Sequence, residues 1–281
     1  MTLRLSAWKC VFVVSAIVAV LLSVGCDRQA APPLRTAAAA EVVPDEDTGK
    51  GAGYAYAISY PSLDPQWHAL DSAIRQFATA RKKDFLDASN APDRVAGTDY
   101  TLDLNFAVAR RTADFVSVTA SGSSFIGGAH GMPILASFNL DIADGKLKTL
   151  SDLFADAQTG LQAVSVECRR QLEGRYEAKL RADPGSMTPA QQDSNIQSMK
   201  RWIEKGTQPA AGNFDVFLID GLDTRAIGVT VIFPPYQVAA YADGPQQVEV
   251  PAKVFYDLLK PEYKDAFAID TEANKPAQGV R

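Results

Sequence analysis

The sequence is poor in the residues that build disulfides and metal sites. Of its 281 residues, three are cysteine and two are histidine. Cys10 and Cys26 lie near the N-terminus, so Cys168 has no partner for a disulfide in the body of the chain. A catalytic zinc ion usually takes three protein ligands, often two of them histidine, and the sequence has no His-Glu-x-x-His motif. We therefore expect no metal and no cofactor, and a fold that depends on its apolar core.

Two further absences argue against other classes of protein. The longest apolar run, residues 11–22, is shorter than the roughly 20 residues that a membrane-spanning helix needs. Basic residues do not cluster among aromatic ones and the formal net charge is −5, which argues against nucleic-acid binding. What the chain does have is the composition of an ordinary globular protein, with 47% hydrophobic and 22% charged residues.

The first 26 residues have the pattern of a signal peptide. Two basic residues precede the apolar run, and small residues follow it. Residues 21–26 (Leu-Leu-Ser-Val-Gly-Cys) resemble a bacterial lipobox, in which the cysteine is acylated. We expect Cys26 to be lipidated and the protein to be an exported lipoprotein on the periplasmic face of a bacterial membrane. Cleavage nearby without a lipid is the alternative.

Periodicity divides the rest of the chain. Residues 27–53 have no apolar period and are interpreted as a flexible tether. Over residues 54–142, alternating apolar residues predict strands at 54–60, 100–108, 115–124 and 132–142, and a helix begins at Asp64. Asp144-Gly145 predicts a tight hairpin after the last of these strands.

The second half alternates helices and strands in blocks. Spacings of three and four predict helices at about 160–181 and 189–206, with Cys168 on the apolar face of the first. Strands are expected at 213–220, 225–233 and 247–250, and a last helix is expected from Pro251. Residues 271–281 are interpreted as a frayed tail. The predicted class is α+β, with antiparallel sheets and packed helices in two closely associated subdomains, residues 54–142 and 143–270.

A glycine-rich loop between two predicted strands is the first candidate site. Gly127, Gly128 and Gly131 surround His130, and glycines let another chain or a ligand approach the backbone closely. A phosphate-binding loop is excluded because the next segment is a strand, not a helix. Two interpretations remain open: a tight turn in which His130 hydrogen-bonds locally, or a loop whose glycines and histidine contact a ligand.

Two tyrosines in a turn-rich crossing are the second candidate. Tyr236 and Tyr241 follow a proline pair, and they are either core residues or a stacking surface for sugar rings. Signals for catalysis are weaker. Ser123 and Ser124 lack the Gly-x-Ser-x-Gly elbow, and carboxylates such as Asp141 and Asp144 have no pattern that marks a glycosidase. We assign no catalytic residue and expect a binding protein.

Several stretches taken together resemble the RsiV-like family. They are residues 56–61, 124–131, 144–146 with 149–154, and 233–245. In that family a deacetylase-associated N-terminal domain precedes a C-terminal domain of unknown function, in lysozyme-sensing anti-sigma factors and beside the catalytic domain of some peptidoglycan deacetylases. The resemblance assigns residues 54–142 to the first domain and 143–270 to the second. It does not imply sigma regulation or deacetylase chemistry.

This resemblance implies an exported, wall-facing binding module. Its ligand would be cell-wall glycan or a cationic wall-acting protein such as lysozyme, which an acidic protein would attract. The expected binding residues are Gly127, Gly128, His130, Gly131, Tyr236 and Tyr241. An envelope hydrolase that uses His130 and a structural lipoprotein without a ligand are the alternatives.

Overall fold

The computed structural model describes residues 45–269 except Asp223. Within this range the chain forms nine strands in two sheets and three α-helices, with short 3-10 turns between them. The predicted α+β class is confirmed. No helix among these residues is long and apolar enough to cross a membrane. The predicted signal peptide, the lipidation site at Cys26 and the predicted tail lie outside the described residues.

The first sheet has six strands in chain order, β1 to β6. Their bounds are Asp45–Gly51, Tyr54–Tyr60, Tyr100–Arg111, Phe115–Phe125, Met132–Asp141 and Lys146–Leu147. Neighbouring strands are antiparallel except β2 and β3, which are parallel. The expected antiparallel sheets are present except at this one pair, where a helix carries the chain back from the end of β2 to the start of β3.

Strand β1 occupies the end of the predicted tether, so the tether interpretation is wrong for residues 45–51. The sequence there lacks apolar alternation because β1 is an edge strand and its residues are largely exposed. Backbone pairing with β2 and ion pairs to the following helix hold it in place. Lys82 Nζ lies 2.8 Å from the Asp47 carboxylate, and Arg75 lies 3.0 Å from that of Asp45.

Helix α1 (His68–Ser89) covers the inner face of this sheet. Asp64 caps the 3-10 turn before it by accepting a hydrogen bond from the Gln66 amide at 3.0 Å, as its position before a proline predicts. Apolar residues of α1 and of the sheet's inner face form one buried cluster; the largest members include Leu70, Ile74, Phe85, Leu102, Leu104 and Phe106. The outer face of the sheet is left for the second half of the chain.

The second half forms two helices and the three-stranded sheet β7-β8-β9. Their bounds are Ala157–Ala182 for α2, Pro189–Gly206 for α3, and Phe217–Leu222, Arg225–Phe233 and Gln246–Pro251 for the strands. A capping box formed by Thr188 and Gln191 begins α3. Cys168 is fully buried on α2, where burial raises the pKa of its thiol to about 12, so the expectation of a small apolar core residue is met.

The helix expected from Pro251 is wrong. Three short 3-10 turns, Ala252–Val254, Tyr256–Leu258 and Pro261–Tyr263, take its place. The backbone leaves the helical region at Phe255 (φ −131°, ψ 2°) and again at Leu259 (ψ 148°), so each of the first two turns ends before a continuous helix can form. The irregular path still buries Phe255, Leu259 and Phe267 in the core of the second half.

Strand β7 packs on the outer face of β4 and β5 through a buried polar contact. The Asn139 side-chain amide donates to the Phe217 carbonyl at 3.0 Å, and the Ile219 amide donates to the Ser117 hydroxyl at 3.1 Å. The Ser117 hydroxyl in turn donates to the Asn139 side-chain oxygen at 2.6 Å. These bonds fix how the two sheets meet. The boundary at residue 142 between two subdomains stays a prediction.

Candidate functional site

The glycine-rich loop connects β4 to β5, as predicted, and two of its glycines have a positive φ. Gly127 and Gly128 have φ of 93° and 103°, a region that other residues rarely adopt. Gly131 is not in this region, and a Cβ there would lie 3.7 Å from that of Ser123, an ordinary contact. The importance of Gly131 lies in its carbonyl, which accepts hydrogen bonds from two of the candidate side chains.

The structure brings His130, Tyr236 and Tyr241 together, and we call these three residues the aromatic cluster. The rings of His130 and Tyr241 stack with centroids 4.1 Å apart and planes at 23°. The rings of Tyr236 and Tyr241 lie 5.7 Å apart at 33°. Tyr241 is therefore the ring that both other rings contact, one of them from the loop and one from its own segment.

Hydrogen bonds to Gly131 fix the two stacked rings. The Tyr241 hydroxyl donates to the Gly131 carbonyl at 3.0 Å. His130 Nδ1 lies 3.1 Å from the same oxygen, so the tautomer protonated at Nδ1 donates there and leaves Nε2 as the acceptor of the ring. His130 is exposed, whereas Tyr241 is partly buried. Local hydrogen bonding of His130, one of the two interpretations of the loop, is thus present without burying the ring.

Tyr236 has an unfavourable backbone. Its φ of 72° is the only positive value among the non-glycine residues that the structure describes. A left-handed conformation costs roughly 1–2 kcal/mol for a residue with a Cβ. The Tyr236 amide donates to the Ala239 carbonyl at 2.9 Å, and Trp202 Nε1 donates to the Tyr236 carbonyl at 3.0 Å. The side chain held in this way is 53% exposed, so Tyr236 is not a core residue.

The segment that carries both tyrosines is attached to the end of α3. The Gln237 side-chain amide donates to the carbonyls of Gly206 and Asn213, both at 2.9 Å. A Cβ on Gly206 would lie 2.1 Å from the Gln237 carbonyl oxygen, so only glycine permits this approach. The sequence predicts Gly206 only as a helix end, and nothing in it marks Trp202 or Gln237 as positioning residues.

Exposed apolar side chains surround the loop. Of the eight large hydrophobic side chains that are exposed in the described part of the chain, four lie here: Val95, Ile126, Met132 and Tyr236. Ile126 and Met132 flank the loop, and Val95 Cγ2 lies 3.5 Å from the position that a Cβ on Gly127 would take. Such concentration of apolar surface is typical of an interaction site.

The other candidates from the sequence lie apart from the cluster. His68, the other histidine, is exposed on α1. Asp141 and Asp144 both form ion pairs with Lys148, whose Nζ lies 3.5 and 2.5 Å from their carboxylates. Burial opposes the charge of Lys148, but hydrogen bonds to Asp144 and Tyr263 outweigh it and raise the pKa of the ammonium group. Among residues 45–222 and 224–269, no group of three potential ligands could hold a metal ion.

Comparison with known proteins finds a protein family of unknown function and a relative that is named for an activity on peptidoglycan. Residues 151–253 match the family described as "Protein of unknown function (DUF3298)", a region that includes both tyrosines but not the loop. The chain is also similar to the peptidoglycan-N-acetylmuramic acid deacetylase PdaC of Bacillus subtilis (strain 168), with 23% identity over 216 residues. The matched part is 76% of this chain but 41% of PdaC, so the chain spans about two fifths of the length of this relative.

The chain was also compared with solved structures, and two of those that match it belong to the DUF3298 family. A DUF3298 family protein from Pseudomonas aeruginosa PAO1 has a TM-score of 0.53 and 18% identity, over 78% of this chain and 93% of that one. A member of the same family from Bacteroides fragilis has a TM-score of 0.45 and 14% identity, over 79% and 93%. The first likeness supports the α+β fold. The chain thus contains a region that matches the DUF3298 model and is similar to part of a peptidoglycan deacetylase.

Proposed function

We propose that this protein is an exported binding module of the bacterial cell envelope that binds the glycan of peptidoglycan through the aromatic cluster. The observation that carries the proposal is the assembly of three rings from distant parts of the chain, with Tyr236 exposed on an unfavourable backbone. Such strain persists where the surrounding structure enforces it, and it concentrates at functional sites. PdaC is named for an activity on peptidoglycan, which supports cell-wall glycan as the ligand.

Each residue of the cluster has a separate role in this proposal. The apolar face of a sugar ring would stack on Tyr236, whose side chain is more exposed than that of Tyr241. His130 Nε2 would accept a hydrogen bond from a sugar hydroxyl. Gly127 and Gly128 would let the sugar approach the loop backbone. Tyr241 donates to the Gly131 carbonyl through its hydroxyl, so it would support the other two rings and would not contact the ligand itself.

Charge supports a second candidate, the cationic wall-acting protein. The formal net charge of −5 would attract a basic protein such as lysozyme, as in the RsiV-like proteins that the sequence resembles. Binding of that kind weakens as salt screens the charges, whereas stacking of a neutral sugar on a tyrosine does not depend on ionic strength. Salt dependence therefore separates the two candidates.

The test is retention of the purified protein on isolated peptidoglycan and on immobilised lysozyme, at low and moderate salt. We expect retention on peptidoglycan at both salt concentrations, loss of most retention in Tyr236→Ala, and little change in Tyr236→Phe. Val166→Ala is the matched control because Val166 is as exposed as Tyr236 but lies on α2. Wild-type retention by Tyr236→Ala would refute the proposal. Retention on lysozyme alone, abolished by moderate salt, would establish the second candidate instead.

We also propose that Cys26 anchors the protein to the membrane through a lipid. The lipobox-like residues 21–26 support this proposal. Metabolic labelling with a fatty acid tests it: the wild-type protein should incorporate label and sediment with membranes, and Cys26→Ser should do neither. Cys168→Ser is the matched control, since the Cys168 thiol is buried and should not affect labelling.

A further inference from the structure

A second concave site lies between α2, α3 and the segment that carries the tyrosines. Its volume is about 150 Å³. Leu172, Ile203 and Val238 form an apolar floor and are themselves buried. An apolar cavity of roughly this volume holds a molecule the size of benzene. The pocket therefore suits one apolar group no larger than a single six-membered ring, such as a short side chain.

The rim of this pocket is cationic. Arg175 and Lys179 lie one turn apart on the same side of α2 and both line it. Lys179 Nζ is 3.3 Å from the Asp243 carboxylate, so its charge is partly balanced. Arg175 is exposed and makes no ion pair with any of the residues that the structure describes. A guanidinium without a partner beside an apolar floor suits a ligand that joins a carboxylate to a small apolar group.

We infer that this pocket binds the C-terminal residue of a short peptide, with its side chain on the apolar floor and its carboxylate on Arg175. The inference rests on the proposed function, because the stem peptide of peptidoglycan ends in alanine, which has both features. It adds a peptide site to the glycan site.

The two sites share one segment of chain. Val238 and Ala239 line the pocket, whereas Tyr236 and Tyr241 carry the rings. Three residues of extended chain span at most about 10 Å, so the pocket lies within that distance of the ring-bearing backbone. A glycan and the peptide attached to it could therefore contact the two sites together.

The test is calorimetric titration of the purified protein with a synthetic N-acetylated tripeptide that ends in D-alanyl-D-alanine. We expect binding of the peptide acid and at least tenfold weaker binding of the same peptide with a C-terminal amide, because a hydrogen bond to a charged group is lost. Arg175→Gln should weaken binding of the acid to the same degree. Arg201→Gln, an exposed arginine on α3 that does not line the pocket, should not. Equal binding of acid and amide, an unaffected Arg175→Gln protein or no binding at all would overturn the inference.

A sugar chain without peptide separates this inference from the proposed function. Arg175→Gln should retain binding of a chito-oligosaccharide, and Tyr236→Ala should lose it. Failure of the tripeptide to bind while the oligosaccharide binds would remove the peptide site alone. Failure of the oligosaccharide while the tripeptide binds would instead refute the glycan proposal.

Discussion

The positive φ of Tyr236 predicts that glycine is more stable than alanine at this position, which reverses the usual order. At most positions in regular structure alanine is more favourable than glycine by roughly 0.5–1 kcal/mol. At φ of 72° alanine keeps the steric cost of its Cβ, roughly 1–2 kcal/mol, and glycine does not. Both substitutions remove the same ring and its contact with Tyr241, so that loss cancels in the comparison. Tyr236→Gly should therefore be more stable than Tyr236→Ala by about 1 kcal/mol.

Urea denaturation followed by circular dichroism measures this difference. Both variants should show the same dependence of unfolding free energy on urea, because the surface exposed on unfolding barely changes. The midpoint for Tyr236→Gly should lie above that for Tyr236→Ala. Gly174→Ala, on an open face of α2, is the control and should show the ordinary order, in which alanine is the more stable. If Tyr236→Ala proved as stable as Tyr236→Gly, the strain assigned to this residue would be absent.

Three further predictions concern the rest of the molecule. Asn139→Ala should lower the free energy of unfolding by about 2 kcal/mol, because the buried Phe217 carbonyl loses its donor; an unchanged urea midpoint would contradict this. Hydrogen bonds from Lys148 and Arg170 lower the pKa values of Asp144 and Glu167, respectively. The two ionised carboxylates therefore stabilise the fold above pH about 4, and this stabilisation is lost as the pH falls through their lowered pKa values. Urea midpoints should thus agree at pH 7 and 5 and fall at pH 3, whereas an equal midpoint at pH 3 would count against these bonds. Cys168 should resist alkylation in the native protein at pH 8 and react after unfolding, as mass spectrometry of its peptide would show; native modification would contradict its burial.

Local patterns predicted the elements that bury one face. Strand β3 alternates buried and exposed residues, and helix α3 has a capping box before its apolar stripe, so sequence and structure agree there. Strand β1 could not be found in this way, since pairing with β2 and ion pairs to α1 stabilise it rather than an apolar face. The helix expected after Pro251 failed for the opposite reason: its apolar spacing is real, but the backbone leaves the helical region at Phe255 and Leu259.

The candidate site was predictable only as separate pieces. The glycine-rich loop and the tyrosine pair each have a composition that suggests a ligand, but Gly131 and Tyr241 lie 110 positions apart in the sequence and their hydrogen bond has no sequence signal. The positive φ of Tyr236 could not be predicted from the sequence either. The left-handed backbone of Tyr236 results from the attachment of its segment to Trp202 and Gly206 of α3, and no local sequence pattern reveals that attachment.

The aromatic cluster depends on how the two sheets meet. His130 belongs to the loop of the six-stranded sheet, and the tyrosines belong to the segment between β8 and β9. Stacking at 4.1 Å tolerates little displacement, because attraction between packed atoms falls steeply with a gap of even 1 Å. The buried bonds from Ser117 and Asn139 to β7 therefore stabilise the fold and also set the position of the rings. It follows that weakening this polar contact should reduce ligand binding even though neither residue lies at the cluster.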